Sequence, residues 1–327
     1  MRYIIYGAGA VGGVIGSCLF QAGHEVVLIA RGPHLDAIKA KGLRFRDVEQ
    51  EAILPISAVG HPGDIGFRPD DVVILTMKSQ DTDRALAELE TAGGRACPII
   101  CAQNGVENER LAARCFERVY GMCVYIGASY LEPGVVVSRY VPVSATLHTG
   151  CYPSGVDDFI AQVAADISTS RMESRPTPRV MDLKYAKLIV NIVSNGLQVL
   201  LGDRRDGDAY RRLTQRVRSE ATTCFEAAGI AYTTPEEFRG QARLAPAPDG
   251  GPREPLRTST LQDMLRGKTT TEVDYLNGEI VLLGRLHGIP TPANRLVRQL
   301  VTQVASSGEG VGAYSAEDLE AMLEHPA

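Results

Sequence analysis

Lys187, Asn191 and Asn195 stand four residues apart inside AKLIVNIVSN (186–195), a run that is otherwise apolar. An α-helix turns once in about 3.6 residues, so each step of four drifts by roughly 40° and the three polar side chains form one stripe. An amine buried without a partner is costly, so a lysine on such a helix needs a reason. One reason is structural: Lys187 snorkels to solvent and the amides cap or cross-link helices. The other is chemical. A placed ammonium acts as a general acid toward an oxygen on which negative charge develops. Amides both donate and accept, which suits a hydroxyl and a carbonyl held side by side. Lys184 is a rival for the acid, but it falls three residues before Lys187 and off the 187/191/195 line.

A second group lies near the start of the chain. GAGAVGG (7–13) contains Gly7-x-Gly9-x-x-Gly12, with Ala8, Ala10 and Val11 between the glycines. That spacing alone is weak. Here it follows a β run, Arg2 to Tyr6, and opens a helical pattern reaching about Ala22, inside a strand–helix–strand unit. In that setting Gly7 permits the tight turn, Gly9 lets a pyrophosphate approach the backbone and Gly12 lets helix and strand pack closely. The helix N-terminus offers its N–H groups to the phosphates. An NAD site usually carries an acid near the end of the second strand, but this strand ends Leu28-Ile29-Ala30-Arg31-Gly32. Arg31 suits a 2′-phosphate, which favours NADP(H) over NAD(H). Lys78, which ends ILTMK, is either a second cation at that edge or a solvated strand-end lysine. Asn104, in QNG (103–105), is either a turn residue or an amide within reach of nicotinamide or substrate.

The third group is in TSTLQDMLRGKTTTEVDYLNGEI (258–280). Gln262 and Asp263 sit in an amphipathic turn. Glu272 precedes the helix-spaced Tyr275, Leu276, Ile280 and Leu283. Dipole stabilisation by a first-turn acid would explain Glu272 by itself, and TTTE has the form of a capping box on Thr269.

The elements that must position these residues are legible in outline. EVVLIAR (25–31), DVVILTMK (71–78) and PIICAQNG (98–105) are apolar runs without alternation, as in a parallel sheet buried on both faces. They alternate with helical stretches, which gives an α/β, doubly wound domain. GMCVYIGASYLEPGVVVSRY (121–140) reads as an antiparallel hairpin closing that domain. From about Val180 apolar residues recur at helix spacing over 184–202, 209–229 and 271–287, interrupted by a Pro- and Gly-rich loop at 239–260. ESRPTPR (173–179) is a polar, Pro-broken link, so the domains are expected at 1–172 and 173–327, with a small-molecule cleft between them.

Composition bounds the function. The 327 residues exceed one small core, and 44% hydrophobic with 22% charged residues is ordinary for a soluble globular protein. A net charge of −5 argues against a nucleic-acid or anionic-membrane partner. No apolar run approaches the roughly 20 residues of a membrane span. The strand pattern begins at once, without a signal-peptide pattern. The 7 cysteines are scattered with no C-x-x-C, as expected of reduced thiols in a cytoplasmic protein. The 6 histidines are isolated and give no metal spacing.

Taken in chain order, GAGAVGG, AR (30–31), TMKSQDT (76–82), QNGVEN (103–108), EPGVV (132–136), YAKLIVNIVSN (185–195), STLQD (259–263) and TEVDYLNGEI (271–280) make the sequence resemble the ketopantoate reductase (2-dehydropantoate 2-reductase) family over nearly its whole length. The resemblance implies a Rossmann-type domain followed by an all-α domain of the 6-phosphogluconate-dehydrogenase-like C-terminal type. It implies NADPH-dependent reduction of 2-dehydropantoate to pantoate, on the route to pantothenate and coenzyme A. On it, Lys187 protonates the carbonyl oxygen, and Glu272 is an acid near that lysine and the substrate hydroxyl. Asn104, Asn191 and Asn195 surround nicotinamide and substrate, Ser259 binds the substrate carboxylate, and Arg31 with Lys78 binds the adenosine 2′-phosphate. The sequence departs from the family at several points. Tyr185-Ala186-Lys187 stands where W-x-K is common, Asn195-Gly196 where Asn-Pro is common, and STLQD where S-M-x-Q-D is usual. One residue is added in KTTTE, and the 239–258 loop is long and Pro-rich. These departures keep Thr260 as a rival to Ser259. They leave open another 2-oxo acid as substrate, and a non-catalytic NADP(H)-binding sensor. An apolar helix such as 281–300 packs either inside the subunit or against a second copy, so a homodimer also stays open.

Overall fold

The computed structural model describes residues 1–130, 132–242, 245–246, 258–308 and 310–325. The chain divides into two compact units, Met1–Lys184 with Thr234–Pro255, and Tyr185–Thr233 with Leu256–Ala327.

The first unit is built on alternation. In β1 (Arg2–Tyr6), Tyr3 and Ile5 enter one apolar core while Ile4 and Tyr6 enter another. Strand side chains alternate between faces, so an apolar run without polar positions needs cover on both sides. That cover comes from α1 (Ala10–Gln21), α2 (Gly32–Lys41), α3 (Thr82–Thr91), α4 (Asn108–Ala113) and α5 (Asp158–Ser168). The other strands in chain order are β2 (Glu25–Ile29), β3 (Leu43–Arg46), β4 (Glu51–Leu54), β5 (Ser57–Val59), β6 (Asp71–Leu75), β7 (Ile99–Cys101), β8 (Val119–Ile126), β9 (Ala128–Ser129), β10 (Val135–Ser138), β11 (Tyr140–Val141), β12 (Ala145–Cys151) and β13 (Met172–Glu173). The main sheet has the order β13-β12-β8-β7-β6-β1-β2-β5, and β12 runs antiparallel to β8. A smaller sheet, β4-β3-β10-β9, packs through Val136 against α1.

Segment 121–140 is not one hairpin. Its first half, β8, is an interior strand of the main sheet, parallel to β7. Only β9 and β10 turn back on each other, around Glu132-Pro133-Gly134. The Pro-rich segment also has structure. Thr234 and Glu237 form a capping box on α8 (Pro235–Arg239), and Phe238 packs on Tyr125 with ring centroids 5.1 Å apart. The His148 ring donates to the Gln241 carbonyl at 2.9 Å, and β14 (Ala245–Pro246) pairs with β11. This stretch therefore belongs to the first unit, while 247–257 lies outside the described residues.

The second unit is helical. The division falls inside α6 (Val180–Leu201), just before Tyr185. It is followed by α7 (Gly207–Ala227), α9 (Ser259–Leu265), α10 (Asn277–His287), α11 (Pro292–Ser307) and α12 (Ala316–Glu324). A buried polar network joins four of these helices. Glu220 accepts from the Ala293 and Asn294 backbone N–H groups at 2.8 and 2.9 Å, filling the orphan donors at the start of α11. Asn294 Nδ2 donates to the Val217 carbonyl at 3.0 Å, and Asn277 Nδ2 donates to Asn294 Oδ1 at 3.0 Å and to the Ile192 carbonyl at 3.1 Å.

The stretch 281–300 holds the end of one helix and the start of the next. Gly288 closes α10 with φ +69°, and Pro292 opens α11, the usual glycine-stop and proline-start pattern. The expected capping box on Thr269 is absent. Thr271 is the cap, its hydroxyl accepting from the Val273 N–H at 3.3 Å, and it opens a 3-10 turn at Glu272–Tyr275. No described helix is long and apolar enough to cross a membrane.

Candidate functional site

The first unit holds the glycine loop between β1 and α1. Gly7 has φ +107°, and the Gly7 and Ala8 N–H groups both donate to the Ile29 carbonyl at 3.1 Å. Gly9 and Gly12 do opposite things. A Cβ on Gly9 would meet nothing within 4 Å, whereas one on Gly12 would lie 2.4 Å from the Gly7 carbonyl oxygen and from Thr76 Oγ1. Gly9 thus keeps open space in front of α1, and Gly12 lets α1 press on the loop. The start of α1 has no side-chain cap and no acid in its first turn. Free N–H groups, room over Gly9 and no local negative charge fit a dinucleotide pyrophosphate. One supporting residue escaped the sequence reading. His34 accepts from the Gly134 N–H at its Nδ1 (2.8 Å), so its Nε2 carries the proton and donates to the Ala8 carbonyl at 2.7 Å. It ties the glycine loop to the β9–β10 turn.

Arg31 follows β2 by two residues and stands at the N-terminus of α2. Its guanidinium, about half exposed, lies 3.6 Å from Glu88 on α3. The Tyr6 hydroxyl donates to the same carboxylate. Arg84 approaches Glu88 to 3.7 Å and His61 to 3.9 Å. Burial, then the hydrogen bond to Glu88, pushes the Tyr6 phenol well above its ordinary value. The end of β2 lacks an acid in sequence, yet an acid from a distant helix stands beside it.

Lys78 follows β6 and leads into a 3-10 turn, Ser79–Asp81. Asn104 sits in the turn after β7. Its backbone carbonyl accepts from Asn108 Nδ2 at 3.0 Å and from the Ser79 hydroxyl at 3.4 Å. Thr82 donates to Asn108 Oδ1 at 2.8 Å and accepts from Gln103 Nε2 at 2.7 Å. These buried groups lock the Lys78 and Asn104 loops to each other. The quoted motifs contain all of them, but nothing in the local pattern marked their partners.

In the second unit, the stripe on α6 is partly enclosed. Lys187 is half-buried, Asn191 is 8% exposed and Asn195 is 6% exposed. Asn195 Oδ1 accepts from both the Ser259 and the Thr260 hydroxyl, each at 3.4 Å. Of these rivals Thr260 is buried at 2% exposure and Ser259 is more open. Gln198, the next turn of the stripe, accepts from the Thr258 N–H at 2.7 Å and so seats the start of α9. The Asn191 side-chain amine is buried and has no hydrogen-bond partner among the described residues. A buried donor left over beside a lysine and a second amide is what a site for an oxygen-bearing ligand presents. Glu272 is 2% exposed in the turn capped by Thr271. The sequence departures have local reasons. Tyr185 packs edge-on to Phe225 at 5.2 Å, and a Cβ on Gly196 would already lie 2.4 Å from Val297 on α11.

Lys184 is spent elsewhere. Its ammonium is 3% exposed, pairs with the Glu109 carboxylate, itself 0% exposed, and donates to the Cys101 carbonyl at 3.3 Å. Burial holds the Glu109 carboxyl above the ordinary range despite that cation. Among the described residues no cluster of His, Cys, Asp and Glu could hold a metal ion.

Family models described as Ketopantoate reductase PanE/ApbA and Ketopantoate reductase PanE/ApbA C terminal match residues 3–153 and 179–305. The chain belongs to the ketopantoate reductase family. A 2-dehydropantoate 2-reductase of Pyrococcus horikoshii is 32% identical over 315 residues, covering 95% of this chain and 99% of its own. The crystal structure of a PanE/ApbA family ketopantoate reductase from Ralstonia eutropha JMP134 is 31% identical, with a TM-score of 0.79 over 94% of this chain and 99% of its own. A ternary structure of D-mandelate dehydrogenase with NADH and anilino(oxo)acetate shares the fold, with a TM-score of 0.80 and 22% identity over 94% of this chain and 99% of its own. As a ketopantoate reductase family member the protein is an oxidoreductase acting on CH–OH groups.

Proposed function

We propose that this protein reduces 2-dehydropantoate to pantoate with NADPH. Family membership supports the substrate, and the α6 stripe carries the chemistry: a half-buried Lys187, the left-over donor of Asn191, and Asn195 joined to Ser259. A nicotinamide, when bound, would supply the hydride to the ketone carbon. Lys187 Nζ points up the charge balance of that step, because negative charge grows on the ketone oxygen and an ammonium both stabilises it and gives up a proton. Asn191 and Asn195 hold substrate oxygens, and Glu272 orients Lys187 and the substrate hydroxyl. Ser259, the more open of the two hydroxyls on Asn195, takes the carboxylate.

In this reading, the first unit binds the cofactor. Gly7, Ala8, Gly9, Ala10, Val11 and Gly12 receive the pyrophosphate, Asn104 lies by the nicotinamide, and Arg31 with Lys78 takes the 2′-phosphate. In functional terms residues 1–172 bind NADP(H) and 173–327 carry substrate and catalysis. A second reading keeps the chemistry and changes the 2-oxo acid. It is favoured by the Tyr185 and STLQD departures around the stripe and the carboxylate end. The experiment is NADPH oxidation with 2-dehydropantoate beside pyruvate, 2-oxoisovalerate and phenylglyoxylate. If another acid exceeds 2-dehydropantoate in kcat/KM by more than about tenfold, a difference of about 1.4 kcal/mol in transition-state binding, the second reading replaces the first.

A further inference from the structure

Glu88 has no place in the proposed chemistry, yet it is the centre of the charge cluster at the adenosine end. It receives the Tyr6 hydroxyl and faces three cationic or ionisable side chains, Arg31 at 3.6 Å, Arg84 at 3.7 Å and His61 at 3.9 Å. These groups come from four different elements: β1, the N-terminus of α2, the turn after β5, and α3. Glu88 is about a quarter exposed, so it is both held in place and reachable by a ligand.

We propose that Glu88 is a specificity-determining residue for the cofactor's adenosine ribose. The inference rests on the reading that Arg31 binds the 2′-phosphate. With no phosphate present, Glu88 is the anion that Arg31 faces. A 2′-phosphate must draw the guanidinium away from this carboxylate and then sit near it, and two anions close together repel. Arg84 softens that cost because it remains beside Glu88 when Arg31 leaves. An unphosphorylated ribose leaves the Arg31–Glu88 pair in place and offers its hydroxyls to the carboxylate, the interaction an acid at the end of the second strand gives in NAD sites. Glu88 therefore narrows the preference for the phosphorylated cofactor, although no acid stands at the end of β2 in sequence.

The test is the ratio of NADP⁺ to NAD⁺ affinity, measured by calorimetric titration of the full chain and of three variants. Glu88→Gln keeps an acceptor for the Tyr6 hydroxyl while removing the charge. The ratio should rise about three- to fivefold, the size of one partly exposed ion pair. Arg84→Gln, at an exposed side chain, should lower it by a similar factor. Arg31→Ala separates this inference from the one beneath it. If Arg31→Ala leaves the ratio unchanged, the 2′-phosphate reading fails and the role of Glu88 falls with it. If Arg31→Ala collapses the ratio but Glu88→Gln leaves it unchanged or lowers it, the cofactor reading stands and the role of Glu88 is overturned.

Discussion

Replacing Lys184 by methionine should damage stability far more than replacing Lys187, although the two lysines are only three residues apart. The Lys184 ammonium and the Glu109 carboxylate are 3% and 0% exposed, so neither is rescued by solvent. Met fills a similar volume but leaves a buried carboxylate without its cation. Breaking a buried pair in this way costs about 3–5 kcal/mol, against a total domain stability of about 5–15 kcal/mol. Glu109 responds by taking a proton. Burial already raises its pKa, and the lost ammonium was the main influence pulling it down, so in the variant it rises further. The sign then follows. A carboxyl whose folded pKa lies above its unfolded value stabilises the fold below the unfolded pKa and loses that contribution as pH rises through the folded pKa. The deficit of Lys184→Met is therefore smallest in acid and grows toward neutral pH. Removing both partners, as Lys184→Met with Glu109→Leu, should recover most of the loss, because a buried pair exchanged for apolar groups is often neutral. Urea unfolding followed by circular dichroism measures all of this, since the chain has no tryptophan to report. A loss below about 1 kcal/mol in the single variant, the size of an exposed pair, would refute the argument.

Two further predictions concern packing. Gly9→Ala should unfold within about 0.5 kcal/mol of the parent, because its Cβ enters open space, yet it should lose most affinity for NADP⁺. Gly12→Ala should lose about 1–3 kcal/mol of stability as well as cofactor binding, because its Cβ would strike the Gly7 carbonyl. Melting curves with and without NADP⁺ separate the two, and equal melting points for the unliganded variants would contradict the reading. Glu220→Ala strips acceptors from the Ala293 and Asn294 N–H groups and should cost about 2–4 kcal/mol. Thermal unfolding checks it, and a loss under about 0.5 kcal/mol would show that water serves as the cap equally well.

The parts visible in the sequence were those with local signals. Gly7, Gly9 and Gly12 in a strand-to-helix setting marked the glycine loop between β1 and α1, and unalternating runs such as DVVILTMK marked strands buried on both faces. The polar stripe of α6 stood out because helix periodicity makes three side chains coincide. What stayed hidden depends on contacts far apart in the chain. Tyr140 pairs with Pro246, so part of the Pro-rich stretch joins the first unit, and no local pattern near 246 signals that. The short strands β3 and β4 carry mixed polar and apolar residues, and their sheet is defined by partners such as Val135–Val137. Glu88 is 57 residues from Arg31 in sequence, which is why the end of β2 looked free of acid. Lys184 and Lys187 looked like rivals because the spacing of the stripe could not show that Glu109 lies beneath one of them.

The measurement that bears most directly on the proposed reaction is steady-state NADPH oxidation with 2-dehydropantoate, comparing the parent protein with Lys187→Ala. The account predicts turnover by the parent and a fall in kcat of about 10²–10⁴-fold in the variant, the usual worth of a placed general acid, with the urea midpoint unchanged. A variant that folds and keeps kcat within about tenfold of the parent would contradict it, and would remove Lys187 from the chemistry.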